Sequence, residues 1–206
     1  MRESACVDTM ETLSKYGKNR KVFKGKWDET YKKEKVRRIT KNFSGNTFSM
    51  KNFEENKGYQ IVIVCFGTPS VVGDSLGPKV GTMLKNYNLP CYIYGTEDRP
   101  ITAKNMAEYI AHVNLAHKGA AVLSVDASLG KKEKIGQISV RKDGVCPAGV
   151  KGQKLRFGDV GVLGVVGENN DNPMGELLAV KEDYVSNMAY KIAIVIKQAV
   201  LKALAI

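Results

Sequence analysis

The sequence predicts an α/β fold in which a mostly parallel, doubly wound sheet is covered by helices. From residue 59 to residue 125, apolar runs of strand length alternate with helical segments in the order strand, helix, strand, helix, strand. The first and third runs are rich in Ile, Val and Ala, as expected of strands that are buried on both faces. Right-handed crossovers between such strands produce a parallel sheet.

The first three elements cover residues 59–94. Residues 59–66 form the first predicted strand. A helix is predicted from Gly77 or Pro78 to about Tyr87, because proline suits the first turn of a helix. Residues 91–94 form a short second strand. This unit places the loop 67–76 at the carboxyl end of the first strand.

The second helix is predicted over residues 102–117, with Thr102 as its N-cap and apolar residues at helical spacing. Gly119 is expected to end it, and residues 120–125 follow as the third strand. The remaining predicted elements are a half-exposed strand at 135–140, a Gly/Pro/Lys-rich loop at 143–154, an apolar strand at 160–166 and a long closing helix at 182–206.

Composition indicates one globular domain of ordinary size. The chain has 206 residues, of which 43% are hydrophobic and 26% are charged. No apolar run reaches the roughly 18 residues that a membrane span needs. The start of the chain lacks the pattern of a secretory signal. A cytoplasmic location is therefore expected.

The net charge of +11 is concentrated near the N-terminus. Residues 1–57 contain 15 Lys and Arg against 8 Asp and Glu, a net charge of +7. We interpret residues 1–57 as a basic, partly irregular N-terminal extension, and residues 58–206 as the α/β domain. A basic extension can bind nucleic acid. This one carries no recognisable nucleic-acid-binding motif, so a solvated extension is favoured.

Two aspartates follow two of the predicted parallel strands. Asp74 comes after the first strand and Asp126 directly after the third, each among small residues. Ligands of open α/β sheets bind where the strand order reverses, and an order of 2-1-3 would bring both aspartates to one crevice. Two close carboxylates share a proton, so they can act as a general base and a general acid. Hydrolysis of an amide needs both.

Each aspartate also has a purely structural interpretation, which the residues alone leave open. Asp74 could cap the helix that begins just after it, and Asp126 could accept hydrogen bonds from loop amides. The two histidines, His112 and His117, both lie in the second predicted helix. We therefore expect no metal site and no cofactor. The four cysteines lack C-x-x-C spacing, and the two that lie in apolar strand-like runs are expected to be small buried hydrophobes.

Several separated motifs resemble those of the sporulation protein YyaC family of spore-forming bacteria. They are VCFGTPSVVGDSLGPKVG from residue 64, YGTEDRPITAKN from 94, VDASLGKKEKIGQISV from 125, PAGVKGQKL from 147 and GDVGVLGVVG from 158. The resemblance covers about residue 60 to the C-terminal helix. That family looks related to the germination protease that degrades small acid-soluble spore proteins, and more distantly to the endopeptidases that mature hydrogenases.

The resemblance implies a three-layer phosphorylase/hydrolase-like α/β fold and an aspartate-dependent peptidase. Two motif aspartates thought to be catalytic in the germination protease correspond to Asp74 and Asp126. Hydrogenase-maturing peptidases also use a histidine to recognise nickel, and no histidine follows Asp126 in this chain. The implied location is the forespore or spore interior.

The predicted substrate is a protein or peptide, and the resemblance points to small acid-soluble spore proteins as the candidate class. Gly67, Thr68, Ser75 and Ser128 are expected to let a peptide backbone approach and to donate hydrogen bonds to the developing oxyanion. The loop 143–154 is expected to fold over the cleft. The alternative function is a non-catalytic spore protein that holds a peptide or partner on a peptidase-like fold.

Overall fold

Five strands form one mostly parallel sheet in the computed structural model, which describes residues 60–147 and 156–204. The strands are β1 (Ile61–Cys65), β2 (Tyr92–Tyr94), β3 (Ala121–Gly130), β4 (Ile138–Lys142) and β5 (Val160–Glu168). Their spatial order is β2-β1-β3-β5-β4, and every pair is parallel except β4 with β5. The predicted 2-1-3 order of the first three strands is confirmed.

Four α-helices accompany the sheet in the described ranges. They are α1 (Leu76–Asn86), α2 (Met106–Ala116), α3 (Pro173–Ala179) and α4 (Glu182–Ala203). None of these helices is both long and apolar enough to cross a membrane. The predicted extension 1–57 and its boundary with the domain lie outside the described residues.

The helices cover the two faces of the sheet, because the side chains of each strand alternate between two cores. Ile63 and Cys65 of β1 pack into one core with apolar residues of α1 and α4. Val62 and Val64 point to the opposite face and pack with residues of α2. All four β1 side chains are fully buried. The result is the three-layer α/β arrangement that the sequence predicts.

Four element predictions need correction. The half-exposed strand predicted at residues 135–140 begins at Ile138 and ends at Lys142. The third strand does not end at residue 125 but continues to Gly130, because β5 pairs with it along that length. The second helix begins at Met106, and Asn105 rather than Thr102 occupies its N-cap position. Helix α3 was not predicted. Its signal is the pair Asn172 and Pro173, with the Asn172 side chain accepting a hydrogen bond from Gly175 N–H.

Candidate active site

A cleft of about 790 Å³ opens at the carboxyl ends of β1 and β3. Asp74 and Asp126 both line it, as do Gly67 and Thr68 of the loop after β1 and Ser128 of β3. This is the position where the strand order reverses, since the chain passes from β1 to β2 on one side and then to β3 on the other. The fold therefore brings the two aspartates to one site.

The loop between β1 and α1 positions the carboxylate of Asp74. Asp74 lies in a 3-10 turn, Val72–Ser75, immediately before α1. Its Oδ2 accepts a hydrogen bond of 2.7 Å from the backbone N–H of Thr68. The N-cap residue of α1 is Ser75, and no side chain caps that helix. Asp74 is therefore not a helix cap in this structure, and its carboxylate faces the cleft.

Gly67 allows this loop to close tightly. Its φ of +143° lies in a region that favours glycine, and a Cβ at this position would overlap the backbone oxygen of Asp74. Its N–H donates to the carbonyl of Ile101 over 2.9 Å. A side chain here would displace the turn that carries Asp74.

Asp126 lies inside β3 rather than in a loop after it. It follows Val125, the last β3 residue that pairs with β1, so its side chain stands where β1 has ended. Asp126 is only 7% exposed. Its Oδ1 accepts a hydrogen bond of 2.9 Å from the N–H of Ala127. Asp126 thus does accept a hydrogen bond from a local amide, as its structural interpretation predicts.

The environments of the two carboxyl groups favour protonation of Asp126 over that of Asp74. Burial raises the pKa of Asp126 well above its usual value, and the negative charge of Asp74 raises it further. Burial also raises the pKa of Asp74, but hydrogen bonds from the side chain and backbone of Thr68 counteract this. When the pair holds a single proton, these environments favour its place on Asp126 and the negative charge on Asp74.

The amides expected to serve the oxyanion are already engaged. Gly67 N–H is bonded to Ile101 and Thr68 N–H to Asp74. Ser75 is not among the residues that line the cleft, since it is buried and its hydroxyl donates to Val72 O over 2.7 Å. Ser128 does line the cleft, and its hydroxyl makes only a long contact of 3.4 Å with Gly164 O.

Sequence reasoning missed three cations at the mouth of the cleft. Lys131 and Lys134 follow the end of β3, and Arg141 lies on β4. All three are exposed and line the same cleft, and we call them the basic rim. The run KKEK after a strand end was the available signal. Its relation to Arg141 depends on the antiparallel addition of β4 to β5.

The histidines lie away from the cleft. His112 and His117 both contact the hydroxyl of Tyr94, and His117 Nδ1 lies 3.2 Å from Gln60 Oε1. Neither histidine is among the cleft residues. Within residues 60–147 and 156–204, no group of three His, Cys, Asp or Glu side chains is arranged to hold a metal ion.

The predicted substrate loop 143–154 is described only in part. Cys146 and Pro147 line the cleft, so the beginning of this segment does reach the site. Residues 148–155 lie outside the described residues. Closure of the loop over the cleft stays a prediction.

Comparison with solved structures finds a similar chain in the crystal structure of the [NiFe] hydrogenase maturation protease HycI from Thermococcus kodakarensis KOD1. The TM-score is 0.48 and the sequence identity is 18%, over 73% of this chain and 97% of that one.

Two sequence comparisons identify relatives. The chain is 34% identical over 149 residues to the "Uncharacterized protein YyaC" of Bacillus subtilis (strain 168), which spans 71% of this chain and 73% of the relative. Residues 30–198 match the family described as "Protein of unknown function (DUF1256)". This match begins inside the predicted N-terminal extension. With most of its length matched, the chain belongs to the DUF1256 family, together with YyaC of Bacillus subtilis.

Proposed function

We propose that this protein hydrolyses peptide bonds, with Asp74 as the general base and Asp126 as the general acid. The observation that carries the proposal is the pairing of two carboxyl groups in one cleft with unequal environments. Groups whose surroundings separate their pKa values are suited to divide the acid and base roles. Hydrolysis of a peptide bond requires both a general base and a general acid, because water is a weak nucleophile and an amine anion is a poor leaving group.

The ground state of the proposed reaction has one proton on the pair. Thr68 hydrogen-bonds the carboxylate of Asp74 and so favours its charged form. Burial favours the neutral form of Asp126, so the proposed ground state has the transferable proton on the carboxyl oxygen of Asp126. The attacking water would lie between the carboxylate of Asp74 and the carbonyl carbon of the substrate.

The first chemical step forms the tetrahedral intermediate. Asp74 removes a proton from the water as its oxygen bonds to the carbonyl carbon, while Asp126 transfers its proton to the carbonyl oxygen. In the second step the carbon–nitrogen bond breaks. Asp74 then gives its proton to the departing amine, and Asp126 takes one from the intermediate as the carboxylic acid product forms. The protons balance and the pair returns to its starting state.

In these two steps Asp126 stabilises the developing oxyanion, and Ser128 lies beside it. That assignment follows from the amides of Gly67 and Thr68, which are occupied by Ile101 and Asp74. A protonated carboxyl group in a buried site is a good donor to a developing oxyanion, since it needs no reorganisation when the charge forms.

The biological part of the proposal is a role in sporulation or germination, in the forespore or spore interior, with small acid-soluble spore proteins as substrates. It is supported by the resemblance of the cleft motifs to the YyaC family and by the relative in Bacillus subtilis.

The test is incubation of the full chain with small acid-soluble spore proteins and, separately, with casein, followed by mass spectrometry of the products. We expect Asp74→Asn and Asp126→Asn each to lower turnover at least about 1,000-fold, as loss of an essential acid or base does. Asp98→Asn, an exposed position outside the cleft, is the matched control and should keep full turnover.

Each outcome decides one part of the proposal. Wild-type turnover in either cleft variant would reject the aspartate pair. Cleavage of casein alone would support the peptidase and reject spore proteins as substrates. Tight binding of spore proteins with no cleavage of either substrate would reject the peptidase and favour the non-catalytic binding protein.

A further inference from the structure

Among the strands that the structure describes, none pairs with the cleft-facing edge of β3 beyond Val125. Pairing between β1 and β3 ends at Cys65 with Val125, and the N–H of Phe66 makes a last bond of 2.8 Å to the Val125 carbonyl. β3 nevertheless continues to Gly130, held on its other side by β5. Residues 127–129 therefore present an unpaired strand edge to the cleft, among the strands that the structure describes. We call it the open edge.

The direction of the backbone groups on this edge follows from the parallel ladder. Alternate residues of a strand direct both N–H and C=O to the same neighbour. Val125 faces β1, whereas Gly130 faces β5, since its carbonyl accepts the N–H of Asn169. By this alternation Ala127 and Leu129 face the cleft. The Ala127 N–H is engaged by Asp126. With respect to residues 60–147 and 156–204, this leaves the Ala127 carbonyl and both polar groups of Leu129 for a ligand.

The open edge lies beside the acid/base pair. Asp126 directly precedes Ala127 in β3, and Asp74 and the whole segment 126–130 line the same cleft. A chain that hydrogen-bonds to Ala127 and Leu129 would pass its backbone next to both carboxyl groups. Addition of an extended peptide to an exposed strand edge is a common mode of peptide recognition.

The charge of the cleft indicates which class of peptide it would bind. Three cations form the basic rim, and the carboxyl groups among the described lining residues are those of Asp74 and Asp126. Lys131 follows the open edge within two residues of Leu129, and Lys134 follows one 3-10 turn later. No rim cation forms an ion pair with a carboxylate in residues 60–147 and 156–204. The rim thus complements acidic side chains.

We propose that the cleft binds an acidic peptide in extended form, with its backbone added to the open edge of β3 and its carboxylates facing the basic rim. The choice of a peptide as occupant rests on the peptidase function proposed above. Backbone pairing sets the position of the peptide relative to the two aspartates. The rim selects peptides by charge, which favours acidic over basic sequences.

The probe is a fluorescein-labelled peptide of alternating glutamate and valine, compared with its lysine and valine counterpart. Fluorescence anisotropy measures binding to the full chain carrying Asp74→Asn, so that cleavage does not deplete the probe. We expect the glutamate peptide to bind at least about ten-fold more tightly than the lysine peptide. Equal affinity for both peptides would overturn the charge assignment.

Paired variants separate the rim from general surface charge. Lys131→Gln combined with Lys134→Gln should weaken binding of the glutamate peptide about ten-fold, since each exposed ion pair contributes modestly. Lys132→Gln combined with Lys142→Gln removes the same charge at exposed positions that do not line the cleft. This control should bind like the parent, and an equal loss in both pairs would overturn the role of the rim.

N-methylation of the probe tests the open edge without altering the protein. One isomer carries methyl groups on its glutamate nitrogens and the other on its valine nitrogens. Only one of the two sets of N–H groups faces β3 in an added strand, so one isomer should lose binding and the other should keep it. Equal behaviour of the two isomers would overturn strand addition.

These results are distinguishable from those that test the peptidase function. Selective binding of the glutamate peptide and of one isomer, without cleavage by the wild-type chain, would support the open edge and reject the peptidase. Aspartate-dependent cleavage with no preference for charge or isomer would support the peptidase and reject the open edge.

Discussion

The backbone N–H of Thr68 donates to Oδ2 of Asp74 over 2.7 Å, which ties the loop after β1 to the carboxylate that the proposed reaction uses as its base. The side chain of Thr68 also lowers the pKa of Asp74 and so opposes the effect of burial. One residue therefore orients the base and favours its charged form. The hydrogen bond from Ala127 N–H likewise lowers the pKa of Asp126, but burial and the charge of Asp74 outweigh it.

Replacing Thr68 by valine should shift the pH dependence of cleavage. Loss of the side-chain hydrogen bond raises the pKa of Asp74 further, so the acidic limb of kcat/KM should move to higher pH. Rates well above that limb should stay close to wild type. Thr68→Ser keeps the hydroxyl and should restore the original profile. An unchanged acidic limb in Thr68→Val would contradict this role.

Replacing Asp126 by asparagine should remove a pH-dependent destabilisation. Because the folded-state pKa of Asp126 is raised, the folded state holds more protons than the unfolded state above about pH 4. The contribution of Asp126 to the free energy of unfolding is thus present below that pH and is lost as the pH rises towards the folded-state pKa.

The measurement is urea unfolding of the wild type and of Asp126→Asn between pH 4 and neutrality. The folded and unfolded states of the wild type are expected to bind different numbers of protons above about pH 4. Relative to the variant, the wild type should become less stable as the pH rises. Asp98→Asn, an exposed position, is the control and should follow the wild type. A constant difference in stability across the range would show that folding does not raise the pKa of Asp126.

Replacing Gly67 by alanine should both destabilise the fold and abolish cleavage. The position has a positive φ, and the new Cβ would overlap the backbone oxygen of Asp74. We expect a loss of about 1–3 kcal/mol in the free energy of unfolding, and displacement of the catalytic turn.

Gly119→Ala is the matched control for Gly67→Ala. Gly119 also has a positive φ, of 84°, but a Cβ there would meet nothing within 4 Å. It should lower stability by about 1 kcal/mol and leave cleavage intact. If both substitutions changed turnover equally, the close contact between Gly67 and the turn that carries Asp74 would not be what cleavage depends on.

The cysteines should differ sharply in reactivity. Burial raises the pKa of the Cys65 thiol, whereas Cys146 is exposed and lines the cleft. In a Cys6→Ser background, a maleimide should modify Cys146 in the folded protein and Cys65 only after unfolding. Peptide mapping by mass spectrometry identifies the sites. Modification of Cys65 at the rate of Cys146 would show that the core around β1 opens readily.

The sequence predicted the central elements because their signals are local. The Ile- and Val-rich run of β1 can only be stable when both faces are covered, and both faces are indeed covered by helices. The closing helix was also located well, since it begins at Glu182 as predicted. Helix α3 escaped prediction because it has seven residues and no clear apolar period.

The end of β3 shows why the site itself was harder to predict. The apolar run stops at Val125, so residues 126–130 look like a loop of small residues. Pairing with β5, more than 30 residues later, extends the strand to Gly130 and creates the open edge. Nothing within the segment itself carries that information.

By itself, the sequence determined the layered α/β fold and the neighbouring positions of the first and third strands, which bring Asp74 and Asp126 to one cleft. Only the tertiary structure decided how the two carboxyl groups differ. Their proton affinities depend on burial and on Thr68, and the charge of the cleft depends on segments that meet only after folding. Such effects act through space, so residue order along the chain does not encode them directly.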